Sequence, residues 1–339
     1  MAVLKSLLVS LLVAVVPATG LGGAVQNRLL FLATGDTIAY QPRRSAVASG
    51  ADLLAASGSA LPVHVEDVLA EPSWDTTPAT MLRLARRVRT ALVDDGFDGV
   101  VVTHGLDTLE DTAFLTDLLV GPAAALGAVV FTGAGRTLDA PDSDGPGNLA
   151  AALTAAAAPA LRGAGAVVCC DGELHAARWA TLADAGRAAF SSAPQPVLGR
   201  VTGDEVLVSA APPARPPRVS GEPESDVALI RVFPGMPAAL LNTAVDAGAR
   251  GVVLEGTGAG NVPVDLLTTI SDLTDWDIPV VIAGRTRTAP GEAPIGAALA
   301  LDVGAISARG LTATHARSAL MVALADGGVE AARKWFDSL

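Results

Sequence analysis

The sequence predicts an α/β protein in which a larger amino-terminal domain, built on a doubly wound and mostly parallel sheet, precedes a smaller carboxy-terminal α/β domain. Three observations predict it. Residues 100–115, VVVTHGLDTLEDTAFL, place β-branched residues directly before Thr103, His104 and Gly105. A helical pattern follows, with Leu109, Ala113 and Phe114 on one side. That is a buried parallel strand running through a loop into a helix. Residues 29–39, LLFLATGDTIA, repeat the arrangement, and the strand-like 127–131 leads into the polar stretch GAGRTLDAPDSDGPGN. Finally, residues 209–225, SAAPPARPPRVSGEPES, have no apolar period and read as an inter-domain linker. In an open α/β sheet, ligands bind at the carboxyl ends of strands, which is where Thr103, His104, Asp107 and Thr108 fall.

Bulk properties narrow the function classes. A chain of 339 residues suggests two domains or one large one. Half its residues are hydrophobic and only 4% aromatic, so the core must be built from Ala, Val and Leu. The net charge of −12, without a basic stripe, argues against nucleic acid or an anionic membrane as partner. The adjacent Cys169 and Cys170 point to opposite faces of a strand and do not form a disulfide framework. His64, His104, His175 and His315 lack metal-ligand spacing, so no metal is expected. The loop Glu255–Asn261 fails as a dinucleotide fingerprint because Asn261 stands at its third glycine. No cofactor is expected.

In chain order, residues 1–24 have the layout of a secretory signal: Lys5, an apolar run over 7–16, Pro17 and small residues. The alternatives are an upstream start-site artefact or a buried amino-terminal helix. The amino-terminal domain is expected over 25–208. After the first strand come a loop over 41–49 with two arginines, a short helix over 51–56 and a strand over 63–69. An amphipathic helix over 77–95 carries Met81, Leu82, Ala85, Val88 and Leu92 at helical spacing, with Thr77-Pro78 as its cap and first turn. The strand–loop–helix alternation runs to about residue 160 and implies the parallel sheet. Beyond the linker at 209–225, the second domain spans 226–339. Its strands are expected at 227–232, 251–254 and 278–283, and its helices at 237–247, 264–273 and 314–325.

Together, TGDTIA at residues 34–39, THGLDT at 103–108 followed by Glu110-Asp111-Thr112, and GAGR…DGPGN at 133–148 resemble, in order and spacing, the signatures of the bacterial L-asparaginase family. The resemblance runs from about residue 29 to the end of the chain. It implies hydrolysis of L-asparagine or a related small ω-amide to the acid and ammonia, without metal or cofactor. It implies Thr37 as the nucleophile, whose hydroxyl attacks the side-chain amide and leaves an ester for water to cleave. Asp107 is implied to grip the substrate α-ammonium and take part in proton handling. Ser73 matches the serine that contacts the substrate carboxylate. The residues Ser73-Trp74-Asp75-Thr76 read equally well as a capped helix start. The DGP-x-N residues Asp144 and Asn148 read as structural, forming a turn and a helix start.

The chain departs from the family pattern at several positions. Asp36 replaces the second glycine of TGGT; Asp tolerates positive φ and adds a negative charge beside Thr37. Leu106 replaces a catalytic threonine and can neither position water nor relay a proton. The family lysine falls on Thr181, and no lysine lies between Lys5 and Lys334. Trp74 stands where a polar residue is usual and would reshape the pocket. The family's loop tyrosine is missing, leaving Tyr40, Arg43 and Arg44 near its place. Catalysis is therefore assigned to Thr37 and Asp107, and the substrate pocket to Ser73, Asp36, Leu106 and Trp74. The resemblance also implies a homodimer or homotetramer in which a neighbour's Ala259 or Asn261, and Glu292, approach the site. Two readings stand: an exported amidohydrolase, not membrane-bound in its mature form, with a cytoplasmic location as the alternative; or a catalytically impaired homologue that binds a small amino acid or related ligand.

Overall fold

The computed structural model describes residues 27–216, 218–287 and 294–339. The segment 1–24 read as an export signal, and Glu292, lie outside the described residues. Among the described residues, the main sheet comprises β1 (Leu29–Ala33), β2 (Val63–Asp67), β3 (Gly99–Thr103), β4 (Ala128–Thr132), β5 (Ala166–Cys170), β6 (Glu173–Ala176), β7 (Gly199–Thr202) and β8 (Glu205–Val208). Their order is β8-β7-β6-β5-β4-β3-β1-β2. The strands β1 to β5 pair in parallel. Four of them are buried along their whole length, as a sheet covered on both faces requires.

Helices cover both faces, which makes the domain doubly wound. On one side lie α1 (Gly50–Ser57) and α4 (Gly145–Ala157), with Leu53, Leu149 and Leu153 packed on Phe31, Val101 and Val130. On the other lie α2 (Pro78–Val93) and α3 (Leu106–Val120), with Leu84, Val88 and Leu109 against Leu30, Val100 and Phe131. Small residues let these layers approach closely: a Cβ on Gly99 would stand 2.2 Å from the Ala156 carbonyl oxygen. Cys169 and Cys170 are free and enter the two opposite layers, as alternation along a strand demands. Thr77 caps α2, its hydroxyl accepting from the Thr80 amide, and Pro78 occupies the first turn.

Strands β6, β7 and β8 depart from the parallel pattern and form an antiparallel edge. The chain reverses after β5 through Asp171 (φ 49°) and Gly172 (φ 69°). Two consecutive left-handed residues are what a two-residue hairpin needs, and Asp-Gly supplies them.

The second sheet is parallel, in the order β9 (Val227–Arg231), β10 (Gly251–Gly256), β11 (Val280–Gly284), β12 (Ile306–Ser307). One face is covered by α5 (Ala239–Asp246), α6 (Leu267–Asp275) and α7 (Ile295–Asp302). The other face carries α8 (Ala313–Ala323) and α9 (Val329–Asp337). The same apolar layer contains Met81 and Leu82 of α2 and Phe114, Leu115 and Leu118 of α3, so the two domains share a core. The described residues of 209–225 form no strand or helix, yet they are fastened: Arg215 pairs with Asp117 at 2.8 Å.

Candidate active site

Strand order reverses at β1. The chain passes from β1 to β2 on one side and then crosses to β3 on the other. The loops after β1 and β3 therefore meet at the carboxyl ends of the strands, where such sheets have the crevice that takes ligands. Thr34 and Thr103 lock the two ends together: the Thr34 hydroxyl donates to the Thr103 carbonyl, and the Thr34 amide donates to Thr103 Oγ1 at 3.3 Å. The chain then turns through two left-handed residues, Gly35 (φ 80°) and Asp36 (φ 67°). Glycine does this freely, and aspartate is among the few other residues that tolerate it.

This turn aims the Asp36 carboxylate into the crevice. Its Oδ2 accepts from the Ser73 amide at 2.5 Å, and its Oδ1 accepts from the Thr37 amide at 2.5 Å and the Thr37 hydroxyl at 3.0 Å. Burial works against its charge, but these bonds outweigh burial and hold the carboxyl below the usual range. The Ser73 hydroxyl lies close enough to favour the carboxylate. It forms no hydrogen bond of normal geometry, however, and remains buried without a partner. The third wall is Gly105, where a Cβ would stand 2.0 Å from Asp36 Oδ2 and 2.2 Å from Ser73 Oγ. Thr37, Asp36 and Ser73 are thus brought together, and Gly105, unremarked in the sequence apart from its place in the THG motif, is what admits them.

The entry to α3 completes the cluster. Thr108, non-helical at φ −131° and ψ 16°, donates its hydroxyl to the Ser73 carbonyl at 2.9 Å and ties the Ser73 turn to the loop after β3. Asp107 beside it is exposed. Leu106 is turned inward, 7% exposed, within the apolar layer that contains Leu109 and Phe131. Ser73 opens a 3-10 turn over Ser73–Asp75, and Thr77 rather than Ser73 caps α2. Trp74 is 66% exposed and stands out from that turn. His104 is buried, and burial lowers its pKa; its Nδ1 donates to the Gly105 carbonyl at 2.9 Å.

Thr181 lies elsewhere. It lines an inter-domain cavity of about 750 Å³ with Glu110, Arg285, Arg287, Thr312 and Thr314. Arg287 donates to the Thr181 hydroxyl, to the Ser191 carbonyl at 2.8 Å and to the Trp179 carbonyl at 2.6 Å. An arginine of the second domain thus holds the segment on which the family lysine would stand. Burial raises Glu110 to about 7 and Asp111 to about 6, and it lowers His315 to about 3.

The remaining motif residues have structural partners. Asp144 accepts from the Gly135 and Arg136 amides at 2.9 and 3.0 Å, and Asn148 donates to the Gly133 carbonyl at 2.9 Å. Asn261 accepts from the Gly296 amide at the start of α7 at 2.7 Å. The stretch expected as a loop over 41–49 instead holds a small antiparallel pair, Tyr40–Gln41 with Ala46–Val47, joined by a 3-10 turn over Pro42–Arg44, and Tyr40, Arg43 and Arg44 are exposed on it. Among the described residues, no group of His, Cys, Asp and Glu is arranged to hold a metal, and no helix is long and apolar enough to cross a membrane.

Residues 28–214 match the family model described as asparaginase, N-terminal, and residues 226–336 match the glutaminase/asparaginase C-terminal domain. A protein of Deinococcus radiodurans named probable L-asparaginase is 36% identical over 313 residues, covering 88% of this chain and 92% of that one. The solved structure of a thermostable L-asparaginase from Thermococcus kodakarensis superposes with a TM-score of 0.77 at 29% identity, covering 91% and 96% of the two chains. One component of the glutamyl-tRNA(Gln) amidotransferase of Methanosphaera stadtmanae is 29% identical over 207 residues, 57% of this chain and 46% of its own length. With both domain models matched in order, and with relatives of this identity along most of its length, the chain belongs to the asparaginase family.

Proposed function

We propose that the protein is an asparaginase-type amidohydrolase whose nucleophile is Thr37 and whose substrate is L-asparagine or a related small ω-amide. The observation that carries this reading is the Thr37 hydroxyl just beyond β1, donating to Asp36, which also accepts from the Ser73 amide. With its proton directed at a carboxylate, the hydroxyl oxygen turns its lone pairs outward. Attack on the amide carbon forms a C–O bond; the C–N bond breaks and leaves with a proton as ammonia. Water then cleaves the ester, releasing the acid and restoring the hydroxyl. In this reading Asp107, exposed at the first turn of α3, meets the substrate ammonium group, and the exposed Trp74 forms the rim.

A second reading has observations of its own. Leu106 is sealed in an apolar layer and Thr181 is bound to Arg287, so neither offers the proton relay of the family. This favours a homologue that binds an amino acid or amide and turns it over slowly or not at all. Ammonia release from asparagine and glutamine separates the two. Turnover abolished by Thr37→Ala establishes the hydrolase. Silence in the unmodified protein, with activity in Leu106→Thr/Thr181→Lys, establishes the impaired homologue.

Assembly into a homodimer or homotetramer is part of the proposal, supported by the exposed apolar residues Phe233, Val264, Ile295 and Leu299 on the second domain. Sedimentation equilibrium tests it, with a monomer as the contrary result. Export by residues 1–24 is likewise proposed, and amino-terminal sequencing of secreted protein tests it.

A further inference from the structure

We propose that Asp36 is a resident anion that fills the carboxylate slot of this site, so that the preferred ligand is an amine-bearing primary amide without a carboxylate. The inference takes its reaction from the hydrolase reading above, but its binding preference stands on separate observations.

The first is the slot itself. Two backbone amides, those of Ser73 and Thr37, converge with the Thr37 hydroxyl on one carboxylate. Convergent backbone N–H groups of this kind are what a ligand anion seeks. A further donor, Ser73 Oγ, is buried there and has no partner of its own, although Ser73 is only 3% exposed. Gly105 leaves room for the Asp36 carboxylate: a Cβ there would overlap both Asp36 Oδ2 and Ser73 Oγ. The occupant is covalently attached two bonds from the backbone of its own loop. A free ligand carboxylate must displace it against a high effective concentration.

The second observation is charge. Residues 33–41, 70–77 and 103–108, next to the slot, contain Asp36, Glu71, Asp75 and Asp107 and neither lysine nor arginine; Arg43 and Arg44 come two and three residues beyond the first of these segments, and Arg136 lies on the loop after β4. The Asp107 side chain is exposed and has no hydrogen bond or ion pair to another described residue. His104, buried and lowered in pKa, adds no compensating charge at neutral pH. An incoming carboxylate meets like charge at its seat, where Asp36 already lies, whereas an ammonium beside Asp36 or Asp107 meets opposite charge.

Calorimetry with two ligands that differ only by the α-carboxylate tests this: L-asparagine and 3-aminopropanamide. The Thr37→Ala protein serves as host, because it keeps the backbone N–H that holds Asp36 while removing turnover. In this host, 3-aminopropanamide is expected to bind about tenfold more tightly or better, the cost of juxtaposing like charges. Adding Asp36→Gly, which suits the left-handed backbone, should reverse the preference in favour of asparagine. Adding Asp36→Asn instead, which keeps the shape and removes the charge, should narrow it. Equal or tighter asparagine binding in the host, an unchanged ratio on Asp36→Gly, or no binding of either ligand to any variant overturns the proposal. Ammonia release by the unmodified protein reports separately. Turnover of neither amide, with the ratio behaving as expected, removes the hydrolase reading and leaves the slot assignment. Asparagine turnover lost in Thr37→Ala, with an unchanged ratio, does the opposite.

Discussion

Gly105 holds the narrowest point of the site. Its φ of −68° and ψ of 144° are open to any residue, so what it supplies is space rather than backbone freedom. A methyl group there would lie 2.0 Å from a carboxylate oxygen whose partners are fixed backbone amides. Gly105→Ala must therefore push Asp36 out of its seat or shift the loop after β3, either of which breaks bonds that hold a carboxylate below its usual pKa. Overpacking of this kind typically costs about 1–3 kcal/mol. The expected result is a lower thermal midpoint together with loss of the binding preference assigned to Asp36. A variant as stable as the parent, with unaltered ligand binding, would show that the loops are looser than these distances imply. Asp36 carries the opposite lesson. It breaks the glycine pattern at a left-handed position, and the bonds around it account for its tolerance there.

At the scale of elements, α3 does two jobs: its first turn faces the crevice, and its second turn enters the inter-domain layer. Glu110 on that second turn accepts from the Leu182 amide at 2.6 Å and is raised to about 7 by burial. Its folded pKa lies above its unfolded value, so between about pH 4.5 and pH 7 the native state binds more protons than the unfolded chain, and stability falls as pH rises through that window. Asp111, raised to about 6, acts in the same sense, whereas His315, lowered to about 3, acts in the opposite one between about pH 3 and 6.5. The net profile is thus a poor test, and a difference is a good one. Glu110→Gln should match the parent near pH 4 and become relatively more stable as pH rises, by an amount on the order of 3 kcal/mol above pH 7. Parallel stability curves for the two proteins across pH 4–8 would contradict a raised Glu110. The elements that the sequence discloses are those with one strong period: the buried β1, β3, β4 and β5, and α2 with its cap at Thr77. The antiparallel edge is harder to read because beyond the apolar run that ends at Cys170 its strands are short, and its one turn signal is the pair Asp171-Gly172. Helix α9 shows only one short stripe, Ala332, Trp335 and Phe336. At the site, Thr37, Asp36 and Ser73 are legible through motif spacing. The inward turn of Leu106 and the grip of Arg287 on Thr181 depend on tertiary packing, which no local pattern records.

For the whole molecule, the decisive feature is the layer between the domains. A proline-rich connection predicts two units joined by a tether, each with its own core. Instead, Phe114 and Leu115 of α3 share one apolar layer with Leu320 and Met321 of α8 and with Val253 and Val281 of the second sheet. Polar fastenings cross the same boundary. Arg287 holds the segment around Thr181, and Arg178 donates to the carbonyl of Leu339 at 3.3 Å. Removing this layer would expose large apolar faces on both domains, so neither is expected to unfold alone. Leu320 is fully buried, and its Cδ2 lies 3.0 Å from where a Cβ on Gly251 would stand, so truncation leaves a cavity that β10 cannot readily fill. Leu320→Ala should cost about 2–5 kcal/mol and Phe114→Ala about 3–5 kcal/mol. If the layer couples the domains, each substitution lowers the midpoint of one common calorimetric transition, although the two residues belong to different domains. Splitting into two transitions, with Phe114→Ala moving one and Leu320→Ala the other, would instead mean that the proline-rich segment is a true tether and the shared layer a contact of little energetic weight.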